Sequence, residues 1–163
     1  MSRVQLALNV ANLDEAIDFY TKLFRTEPAK IRDGYANFAI AEPPLKLVLV
    51  AGQGEPGTLN HLGVEVESTD EVARAITRLQ SDGFTTAVEE QTTCCYATQD
   101  KVWVNDPSGA PWEVYTVLAD ADVMHPEDST CCAPETVAAG LGCGVAETTN
   151  EPVGAAVSGS TCC

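Results

Sequence analysis

The chain carries a second copy of its own opening pattern. Slid by 56 positions (61 − 5), Gln5-Leu6-Ala7-Leu8-Asn9-Val10 falls on His61-Leu62-Gly63-Val64-Glu65-Val66. At the same offset Asp14-Glu15, Thr21 and Leu23 fall on Asp70-Glu71, Thr77 and Leu79. A repeat of this length is one supersecondary unit used twice, so whatever one copy folds into the other must also adopt. Each copy opens with alternating apolar residues, the period of a strand. Each then changes to helical spacing, with Leu13, Ala16, Ile17, Tyr20, Leu23 and Phe24 on one stripe and Val72, Ile76 and Leu79 on the other. Both helices start on a capping-box pattern, Asn12 with Glu15 and Ser68 with Glu71, and Gly83 stops the second.

Short strand-like runs follow each helix. They cover about 28–31, 34–41 and 45–51 in the first copy, and 84–90, 94–97, 101–105 and 111–118 in the second. Asp33-Gly34, Glu42-Pro43-Pro44 and Asn105-Asp106-Pro107-Ser108-Gly109 supply turns between them. The predicted fold class is α+β: two βαβββ modules, 1–57 and 58–119, joined side by side into a curved sheet with the helices outside. Its concave face is the natural place for a ligand.

Composition divides the chain near residue 119. All nine Lys and Arg precede it, while 120–163 holds seven acidic residues, five of the seven cysteines and many Ala, Gly, Ser and Thr. Such a segment cannot offset its ordering entropy, so 120–163 is expected to be a disordered, acidic, cysteine-rich tail. The net charge of −15 argues against nucleic acid and anionic membrane surfaces as partners. With no leader-like start and no span-length apolar run, the expected location is cytoplasmic.

The repeat also makes a chemical prediction. Gln5 and His61 occupy matching positions on the opening strands, and Pro44-Leu45-Lys46-Leu47 laid over Pro111-Trp112-Glu113-Val114 matches Lys46 with Glu113. Polar side chains within apolar strands are costly unless they meet one another. If these positions share the cavity, an amide oxygen, an imidazole and a carboxylate can hold a divalent metal and leave coordination sites open, with Lys46 as a gap.

Six cysteines form adjacent pairs, Cys94-Cys95, Cys131-Cys132 and Cys162-Cys163, and Cys143 stands alone. Neighbouring cysteines join to each other only through a strained ring, and in a reducing compartment they remain thiols suited to a soft ion. Adjacent side chains in a regular strand point to opposite faces, so Cys94-Cys95 must lie on a loop or distorted strand to chelate. Cys131, Cys132, Cys143, Cys162 and Cys163 are candidates for scavenging soft metals or for a passive tail.

The paired modules with Gln5, His61 and Glu113 resemble the vicinal-oxygen-chelate superfamily of glyoxalases and extradiol dioxygenases. Three segments narrow this: Arg3-Val4-Gln5-Leu6-Ala7-Leu8, the run from Gly34 to Leu49, and Thr93-Cys94-Cys95-Tyr96-Ala97-Thr98-Gln99-Asp100-Lys101-Val102-Trp103-Val104. They resemble the organoarsenical C–As lyases and the related cadmium-induced proteins. The resemblance implies a glyoxalase-like fold and Fe(II), or another divalent metal, on Gln5, His61 and Glu113. It implies a trivalent organoarsenical held by Cys94 and Cys95, with dioxygen as co-substrate. A cadmium- or arsenic-sequestering protein without turnover is the competing expectation. Monomer and homodimer, with or without module swapping, both remain open.

Overall fold

The structure, a computed structural model, describes residues 2–124. The expectations for Cys131, Cys132, Cys143, Cys162 and Cys163, and for most of the tail, lie outside the described residues.

Eight strands form one sheet. Module one supplies β1 (Arg3–Val10), α1 (Leu13–Phe24), β2 (Lys30–Arg32), β3 (Tyr35–Ile40) and β4 (Leu45–Ala51). Module two supplies β5 (Leu59–Glu65), α2 (Thr69–Ser81), β6 (Ala87–Cys94), β7 (Ala97–Asn105) and β8 (Pro111–Asp120). The strand order is β2-β3-β4-β1-β5-β8-β7-β6. Each module therefore repeats one plan: its first strand runs parallel to its last, and the two first strands meet antiparallel at the centre. This is the curled, glyoxalase-like α+β architecture that the repeat predicts.

The central pairing shows the pseudo-twofold directly. Gln5 faces Gly63, and Ala7 faces His61. Moving Gln5 forward by 56 gives His61 and moving Gly63 back by 56 gives Ala7, so the first pair generates the second. Every polar candidate thus stands opposite a glycine or alanine. At Gly63 a Cβ would lie 3.1 Å from Glu113 Cγ and 3.3 Å from Gln5 Cβ, so that strand position is narrow for a reason.

The same register corrects one expectation. Gly63 pairs with Glu113, whereas its symmetry mate Ala7 pairs with Val48. Lys46 pairs with Gln5, whose mate His61 corresponds to Pro111. The position equivalent to Glu113 is Val48, not Lys46. The overlay of Pro44 on Pro111 sets the last strands two residues out of register, and a two-residue slip preserves side-chain facing while misassigning the partner.

The helices begin where the caps predict. Asn12 accepts from Asp14 N and Glu15 N, and Ser68 accepts from Glu71 N. Glu71 reaches back to Glu67 N (2.7 Å). Gly83 follows α2 with φ +85°, a conformation open to glycine at little cost. On the convex side, Leu13, Ala16, Ile17, Tyr20 and Phe24 of α1 pack on Phe38, Ile40, Leu47 and Leu49. Leu23, expected on that stripe, is 57% exposed. Ten residues after Leu13 at about 100° each, it lies roughly 80° around the helix from the core.

Three strands follow α2, where four were expected. The predicted run 94–97 is not a strand of its own: Cys94 ends β6, Cys95-Tyr96 is the turn, and Ala97 opens β7, which takes in the run 101–105. β8 also continues one residue past the compositional boundary. Beyond it Ala121 N donates to Tyr96 O, and Met124 O accepts from Cys95 N (2.7 Å). No helix among the described residues is long and apolar enough to cross a membrane.

Candidate metal and thiol site

On the concave face, Gln5 of β1, His61 of β5 and Glu113 of β8 meet, and all three are buried. Gln5 Nε2 lies 2.9 Å from His61 Nε2 and 2.7 Å from Glu113 Oε1, and His61 Nε2 lies 3.3 Å from that same Oε1. Three ligands at about 2.1 Å from a divalent ion, at right angles, stand about 3.0 Å apart. The triangle has these edges. As placed, Gln5 Oε1 accepts from the Tyr115 hydroxyl and Nε2 points inward. A half-turn of the amide brings Oε1 into the triangle and leaves Nε2 to donate to the Tyr115 oxygen. The donor set fits a metal of borderline hardness. Among the described residues no three His, Cys, Asp or Glu side chains gather as a metal group; the third donor here is an amide.

Glu113 is held as a carboxylate. Burial raises its pKa, but the Lys101 ammonium and His61 outweigh it and bring it to about 2. Lys101 Nζ donates to Oε2 (3.2 Å) with Lys101 itself 2% exposed. Oε1 is thereby left facing the triangle. Trp103 closes one side, its ring edge-on to the His61 imidazole at 5.5 Å, with its Nε1 bound to Glu89 Oε1. Lys46 lines the cavity but is bound to Glu65 Oε1 (3.4 Å), and burial lowers its pKa. Val48, the true counterpart of Glu113, also lines the cavity and has no atom with which to ligate.

Cys94 and Cys95 border this same cavity. Cys94 ends β6, and Cys95 and Tyr96 form a two-residue turn with φ 55° and 60°. Both turn residues with positive φ make the tight hairpin that matches strand twist, usually built from Asn and Gly. Cysteine and tyrosine there carry backbone strain. The turn breaks strand alternation, and the sulfurs approach to 3.4 Å. It is pinned from every side: Gln99 Nε2 and Lys30 Nζ hold the Cys94 and Tyr96 carbonyls, and Tyr96 Oη donates to Asp33 O. The hydrogen bond with Cys94 and then burial push the Cys95 thiol well up, against the pull of Lys101.

All five candidates in the folded part thus border one cavity. Sequence reasoning missed Asn9 and Asn60, which stand behind His61, and gave no role to Lys101 or Gln99. The asparagines had a signal: each is a polar residue inside an apolar strand, as Gln5 and His61 are.

A curled sheet of two βαβββ modules carries an amide, an imidazole and a carboxylate converging on its concave face. Residues 3–114 match the model of the Glyoxalase/Bleomycin resistance protein/Dioxygenase superfamily, and the chain belongs to that superfamily. It is 61% identical to a trivalent organoarsenical cleaving enzyme of Thermomonospora curvata, over 82% of this chain and 90% of that one. It is 58% identical to the cadmium-induced protein CadI of Mycobacterium bovis, over 81% and 93%. Among solved structures, the 2,3-dioxygenase LapB from Pseudomonas sp. KL28 shares the fold. Its TM-score is 0.55 at 18% identity, over 73% of this chain and 42% of that one.

Proposed function

We propose that the protein cleaves the carbon–arsenic bond of trivalent organoarsenicals, using Fe(II) on Gln5, His61 and Glu113 and dioxygen as co-substrate. The observation that carries this is the vicinal thiol pair bordering the same cavity as the three-donor triangle. The name of the Thermomonospora curvata relative agrees with it.

Trivalent arsenic is thiophilic, and a methyl- or aryl-arsenic(III) compound has two exchangeable positions besides its carbon. Cys94 and Cys95, 3.4 Å apart, are close enough for one pyramidal atom to bridge them and leave the organic group free. Both protons of the thiols leave in water formed with the arsenic hydroxyls. Gln5, His61 and Glu113 would hold the metal, and Lys101 keeps Glu113 ionised for it. Bound there, a divalent iron would supply the activation of dioxygen. The atoms balance with one dioxygen: methylarsonous acid yields arsenous acid and formaldehyde. Trp103 and the turn at Cys95-Tyr96 limit water at the centre. A reducing cytoplasm is the setting in which the pair stays as thiols.

The test is anaerobic loading with Fe(II), then methylarsenite in air, with arsenic species separated afterwards. Inorganic arsenite is expected from the wild type and not from the Cys94→Ser/Cys95→Ser variant. Tight arsenical binding without arsenite release would overturn the lyase in favour of sequestration. That second reading rests on the five cysteines of the tail and on the name of the Mycobacterium bovis relative.

A further inference from the structure

The strand carrying His61 has an irregularity beside it. Ala7 pairs with His61 and Leu8 with Leu59, which leaves Asn60 as the extra residue of a bulge. Bulges re-aim side chains. Here Asn60 turns to the same side as its neighbour, and its Oδ1 lies 2.6 Å from His61 Nδ1.

From Asn60 a chain of hydrogen bonds runs away from the cavity. Asn60 Nδ2 meets Asn9 Oδ1 at 2.9 Å, Asn9 Nδ2 meets Thr58 Oγ1 at 2.9 Å, and Thr58 Oγ1 meets the main-chain oxygen of Glu55 at 2.6 Å. A carbonyl oxygen only accepts. The Thr58 hydroxyl must therefore donate to Glu55, and its oxygen must accept from Asn9. Asn9 then presents its oxygen to Asn60, and Asn60 presents its oxygen to the imidazole. At the ring's other end Gln5 Nε2 and Glu113 Oε1 face His61 Nε2 at 2.9 Å and 3.3 Å. The Thr58 end orients every amide in the line and so requires a proton on Nδ1, which in the neutral ring leaves Nε2 bare.

We propose that Asn60, Asn9 and the 54–58 strap form a positioning relay that fixes the Nδ1–H tautomer of His61, so that its Nε2 lone pair faces the three-donor triangle. The strap is built to reach Asn9. Asn9 N donates to Thr58 O and Gly57 N to Asn9 O. A Cβ at Gly54 would lie 2.5 Å from Asn9 Nδ2 and 2.8 Å from its Cγ, so only glycine lets the strap approach this closely. None of these residues touches the reacting atoms. The tautomer holds whether or not the proposed reaction occurs; its use as a metal ligand rests on that reading.

Ring nitrogen spectra of the full-length, metal-free protein test it, at about pH 8 where an ordinary imidazole is neutral. The chain has two histidines, so a His125→Gln variant assigns the signals. The wild type is expected to show a protonated Nδ1 and an unprotonated Nε2. Asn60→Ala should give a mixture of tautomers, while Asn60→Asp, which keeps the acceptor, should retain the wild-type pattern. Zinc affinity, measured by titration, should fall about tenfold to a hundredfold in Asn60→Ala. If Asn60→Ala does not fold, Gly54→Ala reports instead, by displacing Asn9 and mixing the tautomers. A wild-type ring protonated on Nε2, or a folded Asn60→Ala or Gly54→Ala with the wild-type pattern, would overturn the relay. A protein that shows the tautomer but releases no arsenite leaves the relay standing and removes the lyase.

Discussion

Glu113 is a carboxylate whose pKa burial by itself would raise, and the buried Lys101 ammonium, together with His61, reverses that outcome. Removing the cation while keeping the volume, in Lys101→Met, leaves a buried charge without its partner. The metal-free protein should lose about 3–5 kcal/mol. Urea denaturation with and without zinc measures it, and bound zinc should restore part of the loss. The same carboxylate sets a pH dependence. Its folded pKa of about 2 lies below the ordinary 4.5, so its stabilisation is full above 4.5 and is lost as pH falls toward 2. Thermal melts of the metal-free wild type should drop across that interval, and Glu113→Gln should flatten the drop. The thiols discriminate ligands by protons. The hydrogen bond with Cys94 and then burial push the Cys95 thiol well up, so Cys95 stays protonated near neutrality. Condensation with an arsenic hydroxide releases water and no net proton, whereas Cd²⁺ must displace the Cys95 proton. Calorimetry should find arsenical affinity flat between about pH 6.5 and 8, and cadmium affinity rising about tenfold per pH unit.

At the scale of elements, the strand pair β1–β5 carries the site because small residues oppose large polar ones. Gly63→Ala places a methyl between the Gln5 and Glu113 side chains, so it should weaken divalent-metal binding more than it lowers stability. Metal titration and thermal melting of the same variant separate the two effects. Helix starts were readable from Asn12 and Ser68, whose side chains act within their own first turn. The hairpin at Cys95-Tyr96 was not readable as a turn. Neither residue favours positive φ, and the conformation is held by Lys30, Asp33, Gln99 and Met124 from elsewhere in the chain. A local signal cannot report a conformation that distant groups impose. The exposure of Leu23 has the same origin: the stripe is wide in sequence, and the sheet covers only part of it.

For the whole molecule, the two modules share one sheet and the site lies across their junction, so neither half holds it alone. The segment after β8 bears on how truncations should be made. Ending the chain at 119 would remove Asp120, Ala121 and Met124, which contact Lys30 and the thiol turn. Ending it after Met124 removes the five tail cysteines and spares those contacts. Such a truncation should keep arsenite release within about threefold and bind about one cadmium at the remaining pair. Loss of most arsenical turnover would place the essential thiols in the tail.

The sequence by itself determined the periodicities, the caps and the 56-residue repeat, because these express local backbone preferences and the burial of alternate side chains. From the repeat came the strand plan and the matching of Gln5 with His61. Tertiary structure alone decided the register of the last strands, which exchanged Lys46 for Val48 as the counterpart of Glu113. It also decided the pairing of Lys101 with Glu113 and the line from Glu55 to the imidazole. These depend on loop lengths and on contacts between residues far apart in the chain. Those distances are set only when the sheet closes.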